Sequence, residues 1–267
     1  MPEELSGEGI YFSLKEIGII LVLSVLAALT GALVPSYLFP EGTISAYMYG
    51  ALALPGPGAG VFVFGSILCF WLLAGLIIVK KPGTAVAMAT VLVAFDLLFG
   101  NQVVIIQSLD VLFIVALIIE AVCHFMPKDT VGDYILPVIF AALSALTFGI
   151  ALLGLAKHGE ENLPLAQFPM AYYAFALMGL CCAVLCYRYP WKYFFAAGFA
   201  NMYYLLHFWL FWGDDFASRF PSDPALIPVL FLVVLVGGII AALAAQGIEY
   251  LCERCRVCGG RGALVPS

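Results

Sequence analysis

Charge is what this chain has least of. Only 10% of its 267 residues are Asp, Glu, Lys or Arg, and histidine occurs three times. A soluble domain carries about a quarter charged residues, so a water-facing surface along the whole chain is excluded. With 64% hydrophobic residues and a mean hydropathy of +1.08, the composition is that of a polytopic membrane protein. Catalytic signatures are missing as well. There is no G-x-S-x-G, H-E-x-x-H or Walker A motif, so no enzyme activity is expected and any ATP hydrolysis falls to another subunit. No basic patch marks a nucleic-acid partner, and the pI near 4.9 reflects acidic loops and buried carboxylates. A cleavable signal peptide is not evident, because the first hydrophobic run has the length of a span and no A-x-A site follows it.

What the chain does have is apolar runs. A spanning helix needs roughly 20 mostly apolar residues, and eight stretches qualify: Glu16–Leu38, Gly58–Val79, Pro82–Gly100, Val103–Met126, Tyr134–Ala156, Gln167–Tyr187, Trp191–Gly213 and Pro224–Leu251. The expected fold is an all-α polytopic membrane helix bundle of about eight transmembrane helices, with the lipid bilayer as solvent. Residues 1–258 read as one integral membrane domain and 259–267 as a tail, in which "ALVPS" resembles a protease-site remnant. The segment Thr43–Pro55 is apolar but too short to cross, which suits a loop or a re-entrant piece packed on protein.

Orientation follows from the basic residues. With the N-terminus in the cytosol, nine of the eleven Lys and Arg residues fall in cytosolic loops, and only Lys157 and Arg219 fall outside. Both termini are then cytosolic, and the outer loops carry Glu160, Glu161, Asp214, Asp215 and Asp223.

Three carboxylates, Asp96, Asp110 and Glu120, interrupt the third and fourth apolar runs. An ionisable group at bilayer depth survives only facing protein, water or a ligand. Each one alone has a bland reading as a satisfied interhelical hydrogen bond. Asp96 lies about one turn from the outer end of its span, with Gly100 at i+4 leaving room beside it. Gln107 and Asp110 are i,i+3 neighbours at similar depth on the next span. Two carboxylates sharing a site repel unless one is protonated or a cation is present, which points to a cationic or donor-rich ligand. Glu120 is ten residues further in, roughly 15 Å by helix rise, and so lies outside that pocket.

Aromatic and amide side chains accompany the acids. The seventh stretch carries Asn201, Tyr204, Phe208 and Trp212 at helical spacing, with Tyr203 and His207 alongside. Such a set reads as part of a cage for a flat cationic heterocycle or as an interfacial belt, for which Asn201 lies too deep. His207 suits a structural hydrogen bond better than a metal. Trp71 sits mid-span with an N–H to satisfy. Tyr47 and Tyr49 precede the loop Leu54-Pro55-Gly56-Pro57-Gly58-Ala59-Gly60, which is either an anchored loop or a lid over an outward-facing cavity. The candidate substrate-binding set is therefore Asp96, Asp110, Gln107, Trp71, Asn201, Tyr204, Phe208 and Tyr49. In the first span, Ala27–Gly31 and Ala28–Ala32 are small-xxx-small pairs, suited to internal packing or to docking a partner helix. Cys252, Cys255 and Cys258 form C-x-x-C-x-x-C near the C-terminus. A closed zinc site wants four ligands and no fourth lies nearby, so neither a metal nor any other cofactor is expected.

The order of several motifs is familiar. Lys15-Glu16-Ile17 opens the first span, followed by an alanine-rich face. Lys81-Pro82-Gly83-Thr84-Ala85, Phe95-Asp96-Leu97-Leu98-Phe99-Gly100-Asn101 and Ile119-Glu120-Ala121 come next. This order resembles the substrate-binding (S) components of energy-coupling-factor vitamin transporters, in particular the YkoE-like group linked to thiamine and hydroxymethylpyrimidine. The resemblance covers residues 15–126 and resumes weakly over 191–257. It implies a subunit that captures a vitamin or its precursor from outside and works with a transmembrane coupling subunit and two cytosolic ATPases. Such components have six spans, so the pair across Tyr134–Tyr187 reads as an insertion. The competing reading is a stand-alone ion-coupled transporter with Asp96, Asp110 and Glu120 as a relay.

Overall fold

The computed structural model describes residues 11–38, 61–99, 109–125, 132–158, 168–188, 192–211 and 227–260; within these, the side chains of 32–38, 61, 96, 99, 109–110, 132–134, 154–158, 168–172, 188, 208–211 and 252–260 are not described. Every regular element among the described residues is helical. The α-helices are α1 (Leu14–Leu38), α2 (Ser66–Val79), α3 (Thr84–Phe99), α4 (Leu109–Glu120), α5 (Gly132–His158), α6 (Phe168–Arg188), α7 (Lys192–Phe211) and α8 (Ile227–Gly260). A π turn, Val61–Gly65, leads into α2, and a second, Ala121–Phe125, prolongs α4. Each expected apolar stretch coincides in order with one of these helices. Four stretches are long and apolar enough to cross a bilayer: Leu14–Gly31, Phe62–Val79, Ile135–Leu153 and Ile227–Leu251. The chain is therefore a membrane protein. The apolar stretches of α3, α4 and α6 are shorter, and α7 is interrupted by Asn201, Tyr203, Tyr204 and His207, so the expected eight crossings are met in part. One boundary shifts. Helix α8 runs on to Gly260, past the expected span end at Leu251, and so carries Cys252, Cys255 and Cys258, because no proline or earlier glycine pair interrupts the stretch after Gly238.

Local chemistry fixes the helix ends. Ser13 and Glu16 form a capping box at the start of α1, the Ser13 N–H donating to Glu16 Oε2 at 2.7 Å and the Glu16 N–H reaching Ser13 Oγ at 3.4 Å. Helix α2 ends at Lys80, held left-handed at φ 58°, whose N–H returns to the Leu76 carbonyl at 2.9 Å. Pro82 cannot continue the helix, and Gly83 at φ 83° completes the reversal into α3.

Helix α8 is the hub. It packs on α7 and α2, and also on α5 and α6. Two-thirds of its apolar stretch is buried, 67% against 28% for that of α1, so α8 is core and α1 is an edge. Glycines set the closest approaches. A Cβ at Gly238 would stand 2.6 Å from the Ala197 carbonyl oxygen, so α7 and α8 touch backbone to backbone there. Helices α2, α3, α4 and α7 close a ring in which each packs on the next. Helices α5 and α6 pack mainly on each other and join the rest chiefly through α8. Helix α1 turns Ile20, Leu23, Ala27 and Ala28 inward and leaves Leu21, Val22, Val25 and Leu29 exposed to lipid.

Candidate functional site

The ion pairs among the described residues gather at one end of the bundle. Lys81 Nζ meets Glu16 Oε2 at 2.7 Å and the Tyr11 carbonyl at 3.1 Å, tying the α2–α3 corner to the start of α1. Lys80 pairs with Glu249 of α8 at 3.5 Å. Both contacts are partly exposed and screened by solvent, so their value is positional. They show that α1 begins, α2 ends and α3 begins at the same level as the far part of α8.

Glu120 belongs to this end. It is buried, and its Oε1 accepts the Ala85 N–H at 2.6 Å. That N–H is one of the donors left without an intrahelical partner in the first turn of α3, and a carboxylate there also opposes the positive end of the helix dipole. Oε2 faces His124 Nε2 at 3.3 Å, an ion-pair distance outside good hydrogen-bond geometry. Glu120 thus clips α4 to α3. Its cap role is not read from the sequence. The cap joins residues 35 apart in sequence, and no local pattern signals it.

The opposite end holds the remaining candidates. Asp96 lies on α3 and Asp110 on α4, two helices packed together, while their side chains lie outside the described set. Counted at 1.5 Å per residue, Asp96 stands roughly 18 Å from the start of α3, Tyr204 roughly 18 Å from the start of α7, and Asp110 roughly 15 Å above Glu120. The three are at similar height. Gln107 and Tyr49 lie outside the described residues, and Phe208 is on α7 with its side chain not described.

Helix α7 presents a buried polar line. Asn201 is 0% exposed, Tyr204 3% and His207 1%, at i, i+3 and i+6. The Tyr203 hydroxyl lies 3.5 Å from His207 Nδ1. His207 is thus buried beside Tyr203, its neighbour on the adjoining stripe, and three residues on from Tyr204. The Asn201 Nδ2 donates to the Val234 carbonyl of α8 at 2.8 Å, and its Oδ1 is buried without a hydrogen-bond partner among the described residues.

Not every candidate converges. Trp71 on α2 is half-buried and its Nε1 donates to Thr30 Oγ1 of α1 at 2.7 Å, with Phe70 edge-on at 4.9 Å. It turns toward α1, whereas Asn201 turns toward α8, so the two do not share a site. The small-residue face of α1 also resolves. Ala27 and Ala28 are buried in the protein's own core, Gly31 is half-buried, and the side chain of Ala32 is not described. A partner helix docking on Ala27 and Ala28 would first have to displace the helices already there, because in lipid it is the small residues that let neighbouring backbones close up. Cys69, Cys123, Cys182 and Cys186 are buried thiols, as expected of small apolar residues.

Comparison with known proteins gives no matching family model, no matching curated protein and no matching solved structure.

Proposed function

We propose that this chain is the substrate-capturing membrane subunit of an energy-coupling-factor-type importer, binding thiamine or a related pyrimidine precursor from outside. A transmembrane coupling subunit and two cytosolic ATPases complete the importer and hydrolyse the ATP. The observation that carries the reading is the buried polar face of α7, Asn201, Tyr204 and His207, at the height where α3 and α4 carry Asp96 and Asp110. The lysine-bearing end is cytosolic by the excess of basic residues in its loops, so the acidic and aromatic end opens outward. A cationic heterocycle there relieves repulsion between two carboxylates and exchanges water for aromatic faces. Helices α1–α4, α7 and α8 correspond to a six-helix component, and the α5–α6 hairpin is the addition. The ion-relay alternative needs Glu120 in line with Asp96 and Asp110, but Glu120 is engaged at the Ala85 N–H and His124, roughly 15 Å below Asp110.

The test is ligand-induced thermal stabilisation of the purified protein. Thiamine and hydroxymethylpyrimidine should stabilise it, and biotin and folate should not. Asp96→Asn should weaken thiamine binding about 10- to 100-fold, the cost of a lost charged hydrogen bond, while Glu120→Gln leaves affinity near wild type. Tight binding of folate or biotin without a response to thiamine-like compounds would overturn the proposal, and affinity purification from its host membrane should retain an ATPase-bearing partner.

A further inference from the structure

We infer that Asn201 Oδ1 is a fixed hydrogen-bond acceptor that reads an amino group or ring N–H on the transported molecule. The orientation of the amide is set by chemistry. The Val234 carbonyl can only accept, so Nδ2 must face it at 2.8 Å and Oδ1 must face away. Oδ1 then lies buried with no partner among the described residues, while Asn201 is 0% exposed. A buried acceptor left unpaired is costly, and in a native interior such an atom calls for a donor that arrives from elsewhere.

The surroundings set this amide apart from an ordinary interhelical bond. A Cβ at Gly237 would stand 2.5 Å from Ser66 Oγ, 3.0 Å from the Phe62 ring and 3.2 Å from Asn201 Nδ2, so glycine is what admits the amide between α2 and α8. Phe62 belongs to the π turn Val61–Gly65, which packs against both α7 and α8. Single-turn π segments recur at functional sites. The Ser66 hydroxyl is committed to the Phe62 carbonyl and does not supply the missing donor. A π turn, a glycine and the Asn201 amide nitrogen thus meet at one place, one turn deeper than Tyr204, and hold the amide so that Oδ1 turns away from the Val234 carbonyl. The ligand class that fits is a planar nitrogen heterocycle whose leading edge donates. A carbonyl or ether oxygen at that edge would oppose Oδ1, acceptor against acceptor. This rests on the transport reading for the identity of the molecule, and on the geometry alone for its donor edge.

The experiment compares affinities of the purified full chain for 4-amino-5-hydroxymethyl-2-methylpyrimidine and its 4-methoxy analogue, with cytosine and adenine as amino-bearing controls outside the vitamin class. The wild type should prefer the amino compound by about tenfold or more. Asn201→Leu, with its melting temperature checked, should remove that preference. Equal binding of the amino and methoxy compounds by wild type means that a trapped water satisfies Oδ1; the inference then falls while the vitamin reading stands. Binding of cytosine or adenine alone, lost in Asn201→Leu, keeps the inference and overturns the vitamin reading. A preference that survives in Asn201→Leu, or no response to any amino heterocycle, overturns the inference. Where Asn201→Leu does not fold, Asn201→Ala takes its place with the same outcomes, and a wild type without the preference overturns the inference by itself.

Discussion

At the scale of single residues, the buried polar groups are not equivalent. Glu120 is a joint: one oxygen caps Ala85 and the other faces His124. Removing it strands a buried N–H at the start of α3. Glu120→Leu should therefore lower unfolding stability by about 1.5–3 kcal/mol, the range for a hydrogen bond to a charged group. Glu120→Gln retains an acceptor and should lose less. Chemical denaturation of the purified protein measures both, and a Leu variant as stable as wild type would show that the clip contributes nothing. Asn201 is the contrasting case, since one of its polar atoms is paired and the other is not. All of these residues looked alike in the sequence, as polar groups inside apolar runs. Their partners, which separate them, come from helices far away along the chain.

At the scale of elements, helix contact is decided by where glycine falls. Gly238 of α8 meets the backbone of α7 at Ala197, and a backbone cannot swing aside as a flexible side chain can. Gly238→Ala should force α7 and α8 apart and destabilise the protein by about 1–3 kcal/mol, the usual cost of overpacking. Gly247 lies nine residues further along the same helix with open space around its Cα. Gly247→Ala should stabilise by up to about 1 kcal/mol, because alanine is the better helix former. Melting temperatures of the two variants check this pair, and shifts of the same sign would refute it. The two glycines cannot be told apart by sequence, since each sits in a long apolar helix. The small-residue face of α1 gives the same lesson. Ala27 and Ala28 pack inward, and composition leaves open whether such a face meets its own bundle or a partner.

At the scale of the whole molecule, the bundle has two chemically different ends. One carries the separate pairs Glu16–Lys81, Lys80–Glu249 and Glu120–His124, and the other carries the polar line of α7. On the proposed eight crossings with the lysine end in the cytosol, reporters fused at the N-terminus and the C-terminus should both read cytosolic. A split result would break the even count, and an outside N-terminus would put Asp96 and Asp110 on the wrong face for capture from outside. The α5–α6 hairpin hangs mainly on α8, so the remaining helices surround their own core without it.

The positions and order of the helices were legible from the sequence, because an apolar run long enough for a bilayer leaves the backbone little choice but to satisfy itself internally. The sharp corner at Lys80-Lys81-Pro82-Gly83 was legible too, since proline and glycine act locally. The membrane environment itself was fixed by composition. Tertiary structure alone decided which polar group meets which: Glu120 with the first turn of α3, Trp71 with Thr30 on α1, and Asn201 with Val234 on α8. Each of these pairs joins residues 33 to 41 apart in sequence. Helical periodicity tells which residues share a face, but the neighbour that face meets is set by packing, by glycine contacts of a few ångströms and by the central place of α8.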